Sequence, residues 1–232
     1  MSDPPEGRRS AALLVEEIAS YIRHYETPQV LRVGVDGVDG VGKTAFADML
    51  ARAIEARGRA VIRASVDGFH NPGKVRYRRG RASPVGFYLD SYDYVALRKV
   101  LLDPLGPDGS RTYCPAIFDH VTDSPLPMRM LVADPASVLV FDGIFLHRSG
   151  LRDVWDLSIF LDAPFDVTIP RGAGRGVGWG SPDVHAPLNQ RYIEGQRLYL
   201  RESEPQALAN FVIDYSDFAN PIVVARRWPK PF

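Results

Sequence analysis

The chain has 232 residues, of which 45% are hydrophobic and 24% charged, a composition typical of a globular domain. Lys plus Arg and Asp plus Glu each number 28, so bulk charge does not favour nucleic acid or an anionic membrane as a partner. The single cysteine excludes an internal disulfide and a Cys-rich zinc site. No apolar run reaches the ~18 residues of a spanning helix, and the N-terminus lacks the apolar core of a signal peptide. We therefore expect one cytoplasmic domain over residues 1–232, with a homodimer left open.

The first half of the chain alternates between helical and strand patterns. Residues 1–9 are predicted to be a disordered tail, after which Ser10 caps a helix. Strands are predicted at 31–36 and 60–66, and between them a helix runs from Lys43 to Gly58. These two strands and two helices predict a strand–helix alternation from the start of the chain.

The second half continues the alternation after a long interruption. Residues 67–90 are rich in glycine, arginine and aromatic residues and are predicted to be a loop, after which Ser91 caps a helix that ends near Leu102. Further strands are predicted at residues 111–118, 137–141, 157–161 and 211–214. Strands that are apolar on both faces and alternate with helices predict a parallel sheet covered by helices on both sides.

One glycine-rich turn carries a phosphate-binding pattern. Residues 37–44 fit G-x-x-x-x-G-K-[ST] at every fixed position, between a predicted strand and a predicted helix. Glycines let consecutive backbone N–H groups surround an anion, and the positive end of the following helix points at the same place. Lys43 would neutralise the β- and γ-phosphates, and the Thr44 hydroxyl would ligate Mg²⁺. The predicted nucleotide-binding residues are Gly37, Val38, Asp39, Gly40, Val41, Gly42, Lys43, Thr44 and Ala45.

Two carboxylates follow predicted strands and are candidates for the metal and for catalysis. Asp142 comes after four apolar residues, which favours a metal-side acid over a simple helix cap. Asp67 opens the sequence DGFH, where a base would orient an acceptor hydroxyl, although an ordinary Asp-Gly turn fits as well.

Weaker signals leave several interpretations open. A basic run around Tyr77 fits a solvated loop, a nucleic-acid patch, or a clamp on a phosphorylated or acidic acceptor; it consists of Lys74, Arg76, Arg78, Arg79 and Arg81. Asp119 and His120 fit either acceptor binding or local capping. His147 shows no metal-ligand spacing and is interpreted as structural or exposed.

Together these motifs make the chain similar to the uridine kinase-like P-loop kinases, a clan that includes phosphoribulokinase and bacterial pantothenate kinase. The resemblance runs from about Arg32 to Asp217. Its carriers are GVDGVDGVGKT, VDGFH, YRRGRASPVGFYLDSYD, FDHVTD, VLVFDGIFL, FLDAPFDVTIPRGAGR and RYIEGQRLY. It implies a three-layer α/β P-loop fold, related to nucleoside and nucleotide kinases, with a five-stranded parallel sheet and a lid.

The resemblance also implies roles for individual residues. It implies ATP and Mg²⁺ as cofactors, Asp67 as a general base near the metal, and Asp142 as the second metal-side acid. A lid over residues 171–187 would bring Arg171 and Arg175 onto the phosphates. Its alternating glycines predict mobility without nucleotide, because each interior glycine costs a helix about 1 kcal/mol.

The resemblance defines the bound nucleotide more closely than it defines the acceptor. In uridine kinases a carboxylate grips the ribose and a histidine reads the pyrimidine; these positions align here with Phe87 and Asp123. Candidate acceptor-binding residues are Phe69, His70, Arg78, Phe87, Tyr88, Asp119, His120, Tyr192 and Arg197. The resemblance implies phosphoryl transfer to a hydroxyl of a small nucleoside-like molecule. Pantothenate or another polar alcohol is the alternative within the clan, and a regulatory NTPase without kinase activity is the alternative outside it.

Overall fold

The structure is a computed structural model that describes residues 10–25, 27–174 and 180–228. The helices of the described part are α1 Ala11–His24, α2 Lys43–Glu55, α3 Gly73–Arg76, α4 Pro84–Asp90, α5 Tyr94–Leu97, α6 Phe165–Ala173, α7 Pro187–Ser203 and α8 Pro205–Leu208. A π-helical turn, Arg98–Leu102, extends α5, and two 3₁₀ turns cover Val66–Phe69 and Arg152–Val154. No helix in these ranges is long and apolar enough to cross a membrane.

The strands form one main sheet and two small antiparallel sheets of two strands each. They are β1 Leu31–Gly37, β2 Val61–Ser65, β3 Thr112–Tyr113, β4 Phe118–Asp119, β5 Ser124–Pro125, β6 Leu131–Val132, β7 Val138–Asp142, β8 Leu157–Asp162, β9 Phe211–Asp214 and β10 Ile222–Arg226. Within the described residues the main sheet has the order β2-β7-β1-β8-β9-β10, with only β10 antiparallel. The predicted three-layer fold with five parallel strands is confirmed, and β10 is an edge strand that the sequence patterns did not predict.

The central strand β1 explains where the functional site lies. All seven of its residues are buried, and β7 and β8 pair with its two sides. One apolar cluster joins this sheet to α1 and α2, and a second joins its other face to α5 and α7. The carboxyl ends of β1, β2 and β7 therefore meet at one edge, where ligands bind in open α/β sheets.

The prediction of a loop over residues 67–90 is wrong in part. It folds into a 3₁₀ turn and the helices α3 and α4, and the Ser83 hydroxyl caps α4 by accepting from the Gly86 N–H at 3.0 Å. The predicted cap Ser91 instead donates to the Phe87 carbonyl at 2.6 Å, and Asp93 caps α5. The helix cap therefore lies two residues later than predicted.

Two further predictions need correction. The strand predicted at 111–118 is reduced to the two-residue pieces β3 and β4, each in its own two-stranded antiparallel sheet. The glycines after Pro170 were expected to abolish helix, yet α6 continues through Gly172 to Ala173. Helix α6 packs directly against the phosphate-binding turn, and such tertiary packing outweighs intrinsic helix propensity.

Candidate active site

The glycine-rich turn at residues 37–44 wraps the end of β1 and leads into α2. Gly40 and Gly42 have φ angles of +77° and +102°, which L side chains rarely adopt. A Cβ at Gly40 would lie 2.1 Å from the Thr168 carbonyl oxygen, so α6 closes on the turn from above. The Lys43 ammonium donates to the Val38 carbonyl at 2.9 Å and thus folds back over the turn. The turn therefore has the backbone shape of an anion-binding P-loop.

A hydroxyl and a carboxylate beside this turn form the predicted metal site. Thr44 Oγ1 donates to Asp142 Oδ2 at 2.8 Å, which joins the start of α2 to the end of β7. Arg63 Nη2 lies 2.8 Å from the other carboxylate oxygen and also neutralises this buried acid. No group of three His, Cys, Asp or Glu side chains that could hold a metal occurs in the described part of the chain. Mg²⁺ in nucleotide sites needs only one or two protein oxygens besides phosphates, so the hydroxyl–carboxylate pair fits Mg²⁺.

Asp67 lies opposite this pair, on the 3₁₀ turn after β2. Burial raises the pKa of its carboxyl group; His120 and Lys43 pull that pKa down, as does a hydrogen bond from Tyr92, whereas Asp142 pushes it up. About half of the side chain, 54%, remains open to the cavity, so an acceptor can reach the carboxylate. A cavity-facing carboxylate with a raised pKa is suited to receive a proton.

The neighbourhood of Asp67 is built by close backbone packing. A Cβ at Gly68 would lie 2.7 Å from the Ala116 Cβ, and the Gly68 carbonyl accepts from the Ile117 N–H at 2.9 Å. Glycine at this position therefore lets the DGFH turn meet the loop that carries His120. The Asp-Gly pair serves tertiary packing and the cavity at once.

His70 forms the wall next to Asp67. Its Nδ1–H donates to the Asp67 carbonyl at 3.0 Å, and its ring stacks on His120 with centroids 4.8 Å apart. Burial, with the charges of His120 and Arg76, lowers the pKa of His70 to about 4. His70 is therefore neutral near pH 7 and offers Nε2 as an acceptor.

These elements surround one cavity of about 500 Å³. Of the residues predicted for the site, the cavity is lined by Asp39, Gly40, Gly42, Lys43, Thr44, Asp67, His70, Phe87, His120, Asp142 and Tyr192. The nucleotide half of the cavity, defined as residues 39–44 with Asp142, thus adjoins an acceptor half that begins at Asp67. Phosphate-binding and acceptor-binding predictions meet in a single space.

Five predicted acceptor residues do not line this cavity. Phe69 is fully buried in the core, and Tyr88 packs its ring against Phe145 with centroids 5.1 Å apart. Asp119 accepts from the Val121 N–H at 2.9 Å as a local turn cap. The remaining two are arginines in ion pairs: Arg78 with Asp90 at 2.5 Å and Arg197 with Glu194 at 2.7 Å.

The predicted lid arginines are placed differently from the expectation. Arg171, near the end of α6, donates to the Tyr215 carbonyl at 3.0 Å and to the Ser216 carbonyl. Its guanidinium lies 3.9 Å from the centre of the Phe218 ring. Arg175 lies outside the described residues, so its role and the mobility of the lid stay predictions.

A buried polar network beneath the turn was missed by the sequence analysis. Asp36 is fully buried, and its Oδ2 accepts from His147 Nδ1 at 2.7 Å and from the Tyr199 hydroxyl. Its Oδ1 accepts from the Gly37 N–H at 2.7 Å. Burial, followed by the charge of Asp36, raises the pKa of Tyr199 well above its ordinary value. Helix α7 is thereby tied to the first residue of the phosphate-binding turn.

Helix α7 also reaches the turn directly. Gln196 Oε1 accepts from the Asp39 N–H at 2.6 Å. Arg191 and Asn189, about one and two turns earlier, line the acceptor half together with Tyr77 and Tyr92. The sequence offered a signal for α7 in RYIEGQRLY, but nothing in its spacing showed that Arg191 rather than Arg197 faces the cavity.

Comparisons with known proteins agree with this geometry. The family model of the phosphoribulokinase/uridine kinase family matches residues 32–177. A uridine kinase from Saccharomyces cerevisiae is 29% identical over 177 residues, which cover 73% of this chain and 33% of that enzyme. A pantothenate kinase from Mesorhizobium japonicum is 28% identical over 150 residues, which cover 56% of this chain and 44% of that enzyme. The chain thus spans less than half the length of these two relatives.

A solved structure supports the fold independently. A structure from Bacillus stearothermophilus, described as a possible uridine kinase, superposes with a TM-score of 0.68 at 22% identity. The superposition covers 85% of this chain and 96% of that one. Because the family model matches more than half of its residues, the chain belongs to the phosphoribulokinase/uridine kinase family.

Proposed function

We propose that this chain transfers the γ-phosphoryl group of ATP to a hydroxyl of a small molecule bound beside Asp67. The observation that supports this proposal most is that one cavity of about 500 Å³ is lined by the Lys43 turn, the Thr44–Asp142 pair and Asp67. Membership of a kinase family supports phosphotransferase chemistry in general. The cavity supplies the arrangement that a direct transfer requires, with donor and acceptor side by side.

In the proposed reaction each residue has a distinct task. The acceptor oxygen forms a bond to the γ-phosphorus as the bond to the β–γ bridging oxygen breaks, and ADP leaves. Asp67 receives the proton of the acceptor hydroxyl, while Lys43 and the backbone N–H groups of the turn stabilise charge on the phosphates. Thr44 and Asp142 would hold Mg²⁺, which when bound neutralises charge on the β- and γ-phosphate oxygens.

Two acceptor classes are compatible with this proposal. Relatives named uridine kinase and aromatic walls such as Tyr192 support a nucleoside-like acceptor. Phe87 supports the alternative, a polar alcohol. Its ring lines the cavity, and it aligns with the position where uridine kinases carry a carboxylate that binds the ribose. The relative named pantothenate kinase also supports the alternative.

A regulatory nucleotide-binding protein is the second candidate, and one observation favours it. Arg171, expected on the phosphates, donates to the carbonyls of Tyr215 and Ser216 instead. Release of ADP from Mg-ATP, measured with and without a panel of nucleosides, pantothenate and sugars, separates the two. Acceptor-dependent release supports the kinase, whereas tight ATP binding with release that no acceptor changes supports the regulator.

A further inference from the structure

The acceptor half of the cavity contains a buried arginine that has no carboxylate partner among the residues the structure describes. Arg191 is only 6% exposed, and its two terminal nitrogens donate to backbone carbonyls at 3.1 to 3.4 Å. These carbonyls belong to residues 76, 80, 81 and 83. Carbonyl dipoles orient the guanidinium but do not neutralise its charge, and an unneutralised buried charge is costly.

Two buried N–H groups that lack a hydrogen-bond partner among the described residues also indicate a ligand in the acceptor half. In the described part of the chain, the Nε–H groups of Arg191 and of Arg76 are both buried and lack a hydrogen-bond partner. Both arginines line the cavity. Native proteins leave few buried donors unpaired, so two such donors in one cavity indicate a ligand with acceptor oxygens.

The neighbouring carboxylates are engaged elsewhere. Asp90 pairs with Arg78 and Arg79 at 2.5 and 2.8 Å, and Asp123 pairs with Arg76 at 2.5 Å. Asp39 lies 3.9 Å from the Lys43 ammonium, on the nucleotide side. Among the described residues, this pairing leaves Arg191 without a carboxylate in ion-pair distance.

The surroundings strengthen the attraction for an anion. The Arg191 guanidinium lies 5.0 Å from the Tyr77 ring centre and 5.6 Å from that of Phe87, so aromatic rings border its charge. Outside the cavity, a depression of about 570 Å³ shares Arg76 and Tyr77 and adds Lys74, Arg81 and Asp123. Its three basic side chains outnumber the single carboxylate, and such an excess of positive charge attracts anionic ligands.

We propose that the acceptor carries a negatively charged group, a carboxylate or a phosphate, which binds to Arg191 and Arg76 while its hydroxyl lies at Asp67. This inference rests on the proposed function, because it concerns the acceptor of that reaction. It selects an anionic alcohol over a neutral nucleoside. A neutral acceptor would leave the Arg191 charge buried and unpaired in the complex, which is the basis of strong discrimination against it.

The first test compares acceptors that differ only in the charged group. Glycerol with D-glycerate, pantothenol with pantothenate, and ribulose with ribulose 5-phosphate are assayed for ADP release from Mg-ATP. We expect the anionic member of a utilised pair to have at least tenfold higher kcat/KM, and Arg191→Gln to reduce that ratio below threefold. Arg201→Gln, an exposed arginine on the same helix, should preserve it. A neutral member used as well as its anionic partner would overturn the proposal and still support phosphoryl transfer.

The second test needs no turnover. Sulfate is titrated calorimetrically into the protein saturated with Mg²⁺ and a non-hydrolysable ATP analogue, at constant ionic strength, so that the phosphate-binding turn is occupied. We expect saturable sulfate binding that Arg201→Gln retains and Arg191→Gln weakens at least tenfold. Arg76→Gln, at a partly exposed position, should weaken sulfate binding at least threefold. This variant tests the anion site if Arg191→Gln does not fold.

Each outcome of the sulfate titration is informative. Absence of saturable binding to the wild-type complex, or equal binding to the folded Arg191→Gln and Arg76→Gln variants, would contradict the anion site. Saturable binding that depends on Arg191 supports it even if no acceptor in the panel is phosphorylated. Failure of the anion site and failure of the phosphotransferase are therefore distinguished.

Discussion

The two halves of the cavity are built in different ways. Apart from Asp142, the nucleotide half comes from one short segment, residues 39–44, which a buried strand and a buried hydrogen-bond network fix in place. The acceptor half is assembled from segments that are distant in sequence, with Asp67, Phe87, His120 and Arg191 among its walls. A ligand group that many proteins bind, such as a phosphate, can be bound by a local motif. A ligand group that is specific to one protein requires side chains that are distant in sequence.

The largest expected effect belongs to the nucleotide half. Lys43→Ala should lower kcat for ADP release about 100- to 1,000-fold, because it removes one charge-stabilising group from the transferring phosphate. The thermal unfolding midpoint should change little, since among the described residues the ammonium donates to the Val38 carbonyl and otherwise lies only near Asp39, at 3.9 Å. Near-normal turnover by a folded Lys43→Ala variant would show that this turn is not the working site.

Asp67 stands between the halves, and its replacement sharpens the comparison. Asp67→Asn keeps the shape and removes the basicity, so kcat should fall at least about tenfold while the KM for ATP stays within about threefold. Asp142→Asn is the matched variant on the metal side and should first raise the Mg²⁺ concentration needed for half-maximal rate. If Asp67→Asn chiefly raised the KM for ATP, its role would be metal binding.

The network under the nucleotide half should contribute to stability. Tyr199→Phe removes the hydroxyl that donates to the buried Asp36 carboxylate, and we expect a loss of about 1.5–3 kcal/mol in the free energy of unfolding. Tyr113→Phe, a buried tyrosine outside the network, serves as the control and should cost ~0.5 kcal/mol or less. Urea unfolding of both variants measures the difference. Equal losses would mean that the network does not stabilise the turn.

The effect expected at pH 7.5 is smallest for His70 in the acceptor half. Its pKa of about 4 lies below the unfolded value of about 6.5, so between these pH values only the unfolded state binds the proton. The free energy of unfolding should therefore fall as the pH is lowered from about 6.5 to 4. His70→Gln should reduce this slope in urea unfolding at several pH values, with little change at pH 7.5. An unchanged slope would indicate that His70 ionises freely in the folded protein.

The difference between the halves also explains what could be predicted from the sequence. The P-loop and the acids after β2 and β7 were predictable, because spacing along the chain fixes their geometry and apolar runs reveal the strands. Arg191 and the pair Asp36–His147 were not, since their partners lie up to 115 residues away. The capping shift from Ser91 to Asp93 and the persistence of helix α6 across Gly172 likewise depend on tertiary packing.

The most direct test of the account follows the phosphoryl group itself. ATP labelled with ³²P at the γ-position is incubated with Mg²⁺, the protein and the anionic and neutral acceptors, and the label is separated into organic and inorganic products. We predict label in a phosphorylated acceptor, formed at least about tenfold more slowly when Asp67→Asn replaces the wild-type protein. Label found only in inorganic phosphate, at a rate that neither acceptors nor Asp67→Asn change, would contradict the account.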